Sequence, residues 1–105
     1  AEGKPLLAWG RNGKGPGGFG DGPGEAKNPL RGPIGVCVDH QGRVWVSSTD
    51  SRIQLFSPDG KYLLELGGEG DQPGKFLIPH SMAVDSQGFV HVIDASNHRI
   101  QKFAP

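Results

Sequence analysis

Histidine and cysteine are the residues of this 105-residue chain that could support a metal site or a reaction. His80 follows Pro79 and opens a predicted strand, whereas three other histidines show no spacing typical of metal ligands: His40, His91 and His98. The single cysteine, Cys37, has no internal disulfide partner, and a lone thiol within a predicted strand is typical of a small apolar core residue. His80 is therefore the candidate metal ligand.

A glycine-rich segment is the second feature with chemical potential. Residues 10–24 contain eight glycines, and Gly13 to Gly18 match the G-x-G-x-x-G pattern of a phosphate-binding loop. That pattern binds phosphate where it leads into the start of a helix. Here Pro16 interrupts it and no helical periodicity follows, so the segment is predicted to be a turn-rich connector and not a nucleotide site.

The chain repeats its own sequence, and the repeated elements must position any site. The copies are VDHQGRVWV (38–46) with VDSQGFVHV (84–92), SRIQLF (51–56) with HRIQKF (98–103), and LLAWGRNGKGPGGF (6–19) with LLELGGEGDQPGKF (63–76). A repeat of about 40–50 residues built from short strands is typical of propeller blades, which bury their apolar faces by stacking on neighbours.

Composition also favours short strands joined by tight turns. Eighteen glycines and nine prolines disfavour long helices, and the formal net charge of zero disfavours nucleic acid and anionic membranes as partners. Because no apolar run approaches the roughly 18 residues of a membrane helix, we expect a soluble protein, with its compartment left open. Alternation predicts no helix and eight strands, at 5–9, 34–39, 43–48, 52–56, 61–66, 81–85, 89–94 and 99–103.

These residues resemble the NHL repeat. The pattern consists of Pro-x-x-(apolar)-x-Val-Asp, then x-x-Gly-x-Val-x-Val, then Asn97-His98-Arg99 followed by Ile-Gln-x-Phe, together with Gly-x-Gly-x-x-Pro-Gly-x-Phe. The resemblance covers nearly the whole chain. It implies an all-β fold made of four-stranded antiparallel blades, usually six in a ring, with strand a lining the central channel and strand d outermost.

On this resemblance the strands have the order d-abcd-abc, which amounts to two blades. The units are a seam strand (5–9), a connector with an insertion (10–33), a complete blade (34–66), a second connector (67–79) and strands a to c of the second blade (80–105). Two blades cannot close a ring, and open apolar faces with an unpaired edge favour association. We expect a homotrimer with six blades; the alternative is a piece of a longer propeller.

The resemblance also assigns a place to His80, at the channel mouth, where the other blade has Ile34. Three copies would bring three imidazoles to the axis, a ligand set typical of zinc. The same residues resemble the propeller of the peptide-amidating lyase, whose Pro-His motifs bind zinc. Its catalytic arginine is not matched, because Ala95 follows Asp94, and its tyrosine is not matched in residues 47–51. We therefore expect no lyase chemistry, and His80 is either a metal ligand or a polar residue that lines the channel.

An insertion supplies the second candidate site. Phe19 lies fourteen residues before Pro33, whereas its counterpart Phe76 lies three residues before Pro79. Loops on one rim of a propeller commonly bind ligands. The polar residues of this insertion are Asp21, Glu25, Lys27, Asn28 and Arg31. We therefore predict a scaffold that binds a protein, peptide or other ligand at this rim. The alternatives are a tolerated insertion without a ligand and a metalloprotein centred on His80.

Overall fold

The chain folds into two antiparallel sheets. The computed structural model describes residues 3–11, 13–20 and 32–105. The first sheet has the order β1 (Pro33–Val38), β2 (Val44–Ser48), β3 (Arg52–Phe56) and β4 (Tyr62–Gly67), and the second has β5 (Pro79–Val84), β6 (Val90–Asp94) and β7 (Arg99–Phe103). Strands that follow one another in sequence are neighbours in each sheet. The all-β architecture predicted from alternation is therefore confirmed.

The turn between β1 and β2 shows why the strands begin and end where they do. The carboxylate of Asp39 accepts hydrogen bonds from the backbone N–H groups of Gln41 and Arg43, both at 2.9 Å. Gly42 closes the turn with φ of +80°, a conformation that a residue with a Cβ adopts only at a cost. Asp85 makes the equivalent bonds between β5 and β6. An Asp-x-x-Gly turn thus fixes the inner hairpin of each sheet.

The core lies between the two sheets. Strand β1 packs beside β5, and a Cβ at Gly35 would overlap the carbonyl of His80, so glycine is needed for this close approach. The buried cluster joins three residues of the first sheet to three that precede or belong to the second: Trp45, Ile53, Leu55, Phe76, Val90 and Val92. The sheets are stacked as expected for two adjacent blades.

The predicted seam strand forms no ladder within the single chain. Residues 5–9 belong to no ladder, and Leu6 and Leu7 are 88% and 55% exposed. An outermost strand needs the edge of another strand, and no described segment before β1 supplies one. Among the described residues there is a single 3-10 turn (Ala95–Asn97) and no α-helix, and none of the chain described has a helix suited to crossing a membrane.

Candidate functional site

His80 is the second residue of β5, and its side chain is exposed. Its backbone carbonyl accepts a hydrogen bond from Ser47 Oγ at 2.6 Å, which ties the start of β5 to β2 of the first sheet. Within residues 3–11, 13–20 and 32–105, no three His, Cys, Asp or Glu side chains are grouped so that they could hold a metal ion. A metal site at His80 would therefore need ligands from outside the described residues of one chain.

Asp94, at the end of β6, is a fully buried carboxylate. Four groups donate to it, at 2.8–3.2 Å: the backbone N–H of Leu77 and the side chains of Asn97, Arg99 and Gln101. Burial alone would raise the pKa of Asp94, but these hydrogen bonds together outweigh burial and hold its pKa below the usual value. The charged carboxylate of Asp94 therefore links three segments to one another, namely the connector before β5, the 95–97 turn and β7.

In the first sheet a different carboxylate binds the equivalent arginine. Ser48 stands where the second sheet has Asp94, and it donates to Asp50 at 2.5 Å. Arg52 donates to the other oxygen of Asp50 at 2.8 Å and also contacts Glu65 of β4 at 3.1 Å. Burial acts to lower the pKa of Arg52, but Asp50 and Glu65 raise it above its ordinary value. Both sheets thus hold an arginine at the start of the third strand.

These arginines fix the connector that precedes each sheet. Arg52 and Gln54 both donate to the carbonyl of Gly18, at 2.7 and 2.8 Å, and the N–H of Gly17 donates to Gln54 at 2.8 Å. All three bonds recur at 2.7–3.0 Å in the second sheet, between Arg99, Gln101, Lys75 and Gly74. We call this repeated arrangement the Arg-Gln clamp. Contacts within the chain therefore account for the repeated geometry of the connectors.

The two sheets differ at the centre of their second strands. Trp45 is 2% exposed between the sheets and donates its indole N–H to Asp39 at 2.8 Å. His91 has the equivalent position in the second sheet, with Nε2 at 2.9 Å from Asp85. This contact is the main cause that lowers the pKa of Asp85. His91 is therefore the counterpart of a core tryptophan, placed on a face that the chain leaves open.

The first sheet has an open apolar face, which we call the front face. It carries the exposed Val36 and Val38, and also Val44, Val46 and Phe56, which are buried in one cluster with Phe19. Val36 and Val38 are 63% and 57% exposed. Trp9 and Phe19 pack on Phe56 with ring centroids 6.0 and 5.7 Å apart. Beside these rings lies an open apolar cavity of about 510 Å³, lined by Leu7, Trp9, Phe19, Ile34, Val36 and Val46.

The second sheet is open on the opposite side, which we call the back face. His91, Ile93, Ile100 and Lys102 lie there, because His91 pairs with Lys102 and Ile93 with Ile100 in the β6–β7 ladder. Ile93 and Ile100 are 43% and 67% exposed. Strand β7 also has no fourth strand beside it among the described residues. Exposed apolar side chains therefore lie at both ends of the two-sheet stack.

The insertion predicted to form a binding rim is not covered by the structure. Asp21, Glu25, Lys27, Asn28 and Arg31 lie outside the described residues. Their role in binding stays a prediction.

The sequence of the second sheet matches a known repeat. A family model described as the NHL repeat matches residues 76–103, a segment that runs from the core residue Phe76 through Asp94 and Arg99 to the end of β7. The chain contains an NHL repeat at residues 76–103. Because the Arg-Gln clamp and the Asp-x-x-Gly turn recur in the first sheet, the NHL pattern extends to that half of the chain.

Known proteins with similar sequences include one that is named for the NHL repeat. The chain is 37% identical over 107 residues to mouse peptidyl-glycine alpha-amidating monooxygenase, covering 94% of this chain and 10% of that protein. It is 37% identical over 86 residues to human NHL repeat-containing protein 3, covering 76% of this chain and 25% of that protein. A 42-residue part is 48% identical to the E3 ubiquitin-protein ligase TRIM71 of Xenopus tropicalis, covering 40% of this chain and 5% of that protein. The chain thus spans about a tenth to a quarter of the first two relatives.

Sequence reasoning missed the glutamines of the Arg-Gln clamp. Gln54 is fully buried, and both Gln54 and Gln101 bridge the connector to the third strand. The signal was present, since Arg-Ile-Gln recurs unchanged in both copies with its polar residues on one side of a strand. Two polar residues repeated at that period, beside buried apolar neighbours, indicate a paired polar network.

Proposed function

We propose that this chain is a two-blade unit of an NHL β-propeller that serves as a binding scaffold, and that three copies close a six-bladed ring. One observation carries the proposal, namely that the two sheets leave complementary surfaces uncovered. The front face is apolar, the back face exposes Ile93 and Ile100, and the edge of β7 has no partner strand in the part of the chain that the structure describes. A head-to-tail contact between copies would cover all three surfaces at once.

The segment 3–10 supplies the missing strand in this proposal. Its residues match those that lead into and form β4, as Lys4, Leu6, Leu7 and Gly10 correspond to Lys61, Leu63, Leu64 and Gly67. In the first sheet Leu64 pairs with Leu55 of β3. The repeat places Lys102 at the position of Leu55, so Leu7 of one copy would lie opposite Lys102 of the next. The proposal thus includes a specific strand register.

A cysteine cross-link tests this register. In a Cys37→Ala background, Leu7→Cys combined with Lys102→Cys should form disulfides between copies, because directly opposed residues in a ladder have Cα atoms within the range that a disulfide spans. Non-reducing electrophoresis should then show dimers and trimers. Leu6→Cys combined with Lys102→Cys is the matched control, since neighbouring residues of a strand point to opposite faces. Equal cross-linking in both variants, or none in either, would contradict the proposed seam.

The ligand surface of the assembled scaffold is proposed to be the rim that carries residues 21–31. This assignment is supported by the length of the connector, which exceeds its repeat counterpart by eleven residues, and by its polar side chains. A protein or peptide is the favoured ligand. In the same assembled material, deletion of residues 21–31 should leave the mass of the ring unchanged apart from the deleted residues and remove binding of a peptide selected on the wild-type ring.

The exposure of His80 at the start of the inner strand favours a metal site as a second candidate function. The similarity to an amidating monooxygenase over 94% of the chain supports it. In a closed ring, His80 from each of three copies would supply the imidazoles, and a bound zinc ion would act as a Lewis acid. No reaction is proposed, because the arginine and tyrosine positions of the lyase are not matched.

Metal analysis tests this candidate. Purified protein incubated with zinc and then passed through a desalting column should retain about one zinc ion per three chains. His80→Ala should remove the metal and leave the assembled mass unchanged, because the apolar faces and not the ion hold the copies together. His98→Ala is the control and should retain zinc. Retention of zinc by His80→Ala, or its absence from an assembled wild-type ring, would contradict the site.

A further inference from the structure

The contact between the two sheets within one chain provides a template for a contact between chains. Ile53 of the first sheet is fully buried in the cluster that includes Phe76, Val90 and Val92. The counterparts of those three residues are Phe19, Val44 and Val46, which form a second buried cluster with Phe56 on the front face. The counterpart of Ile53 is Ile100, on the back face. The front face and the back face thus each carry one half of the contact that the two sheets make within the chain.

The back face of the second sheet is more polar than the surface of the first sheet to which it corresponds. His91 and Lys102 replace Trp45 and Leu55, both of which are 2% exposed in the internal contact. Lys102 lies opposite His91 in the ladder, with its Nζ 4.3 Å from the ring centroid of Phe89. The back face gains one apolar residue, since Ile93 replaces Ser47. Its apolar contribution therefore comes mainly from Ile93 and Ile100.

We infer that Ile93 and Ile100 of one copy occupy the apolar cavity on the front face of a second copy, in a junction weaker than the one within the chain. The inference rests on the proposed ring. A cavity of about 510 Å³ beside Trp9 and Val36 is large enough for two branched aliphatic side chains. Burial of exposed apolar area drives the contact, whereas burial of His91 and Lys102 opposes it. We therefore expect the junctions between copies to separate under milder conditions than the two sheets of one chain.

Two variants with opposite expected effects test the inference. Ile100→Ser should raise the dissociation constant between copies at least about tenfold, because serine has much less apolar area to bury at the junction than isoleucine. Ile100→Val, which keeps most of the apolar area, should change it little. His91→Trp combined with Lys102→Leu copies the internal contact and should lower the constant about tenfold. Sedimentation equilibrium on the full chain measures all of these, and circular dichroism of the dissociated protein checks that each variant is folded.

The outcomes separate this inference from the proposed ring. If the wild type assembles and Ile100→Ser assembles equally well, the ring stands and the assigned contact is wrong. If the wild type remains a folded monomer, both are wrong. Because Ile100 is 67% exposed in the single chain, its replacement should not prevent folding. Weaker assembly of Ile100→Ser together with tighter assembly of the double variant is the expected result.

Discussion

Replacing Asp94 with alanine is expected to lower the free energy of unfolding by about 2–4 kcal/mol. The fully buried carboxylate accepts four hydrogen bonds, including those from the backbone N–H of Leu77 and the guanidinium of Arg99. Its removal leaves the Leu77 donor without a partner and the arginine without its counter-charge. The lower end of the range reflects the 30% exposure of the Arg99 side chain and its remaining carbonyl partners. Urea unfolding measures the change.

The first sheet offers a matched control for this substitution. Ser48 occupies the position of Asp94, but the charge there is carried by Asp50, so Ser48→Ala should cost only about 1 kcal/mol. Equal losses for the two variants would contradict the role assigned to the Asp94 carboxylate.

The same carboxylate makes stability depend on pH. The pKa of Asp94 is lowered in the folded protein, so its contribution is present above the unfolded value of about 3.9 and is lost as the pH falls through the folded value. The wild type should therefore lose stability below about pH 4 more steeply than Asp94→Asn. Urea titrations from pH 7 to pH 3 compare the two proteins.

Replacing Gly67 with alanine is expected to destabilise the protein by about 2–4 kcal/mol. Gly67 has φ of +91°, and a Cβ there would lie 2.5 Å from the ring of Phe76, which is fully buried. Both backbone strain and overlap with a core ring therefore oppose the substitution. The ring cannot move without disturbing the core between the sheets.

Gly74 separates these two causes. Its φ is +84°, but an added Cβ meets no atom within 4 Å, so Gly74→Ala should cost about 1–2 kcal/mol from strain alone. Thermal and urea unfolding of both variants should show the larger loss at Gly67. Equal losses would mean that the Phe76 ring yields to the methyl group.

Local patterns in the sequence were enough to predict the strands and inner turns that both copies share. Strand β3 and strand β7 have the predicted bounds, because alternation and the Asp-x-x-Gly turns act over a few residues. The segment 5–9 forms no ladder within the single chain, because a strand exists only where another edge is available. Its pairing with a second copy stays a prediction.

The side-chain networks were harder to predict than the strands. The carboxylate that holds the arginine is at Asp94 in one sheet, but it comes from the turn residue Asp50 in the other, two residues beyond Ser48. Sequence comparison of the copies shows only that Ser48 breaks the pattern. Likewise, the position of His91 on an open face depends on how the sheets stack and not on its neighbours in sequence.

The mass of the purified chain in solution tests the central claim most directly. Light scattering coupled to gel filtration, at tens of micromolar protein, should give about 33 kDa, three times the 11.1 kDa of one chain. Covering the front face, the back face and the β7 edge together is the physical reason for this value. A single folded species of 11.1 kDa with a β-rich circular dichroism spectrum would contradict the ring and would mean that these surfaces are not covered by copies of this chain.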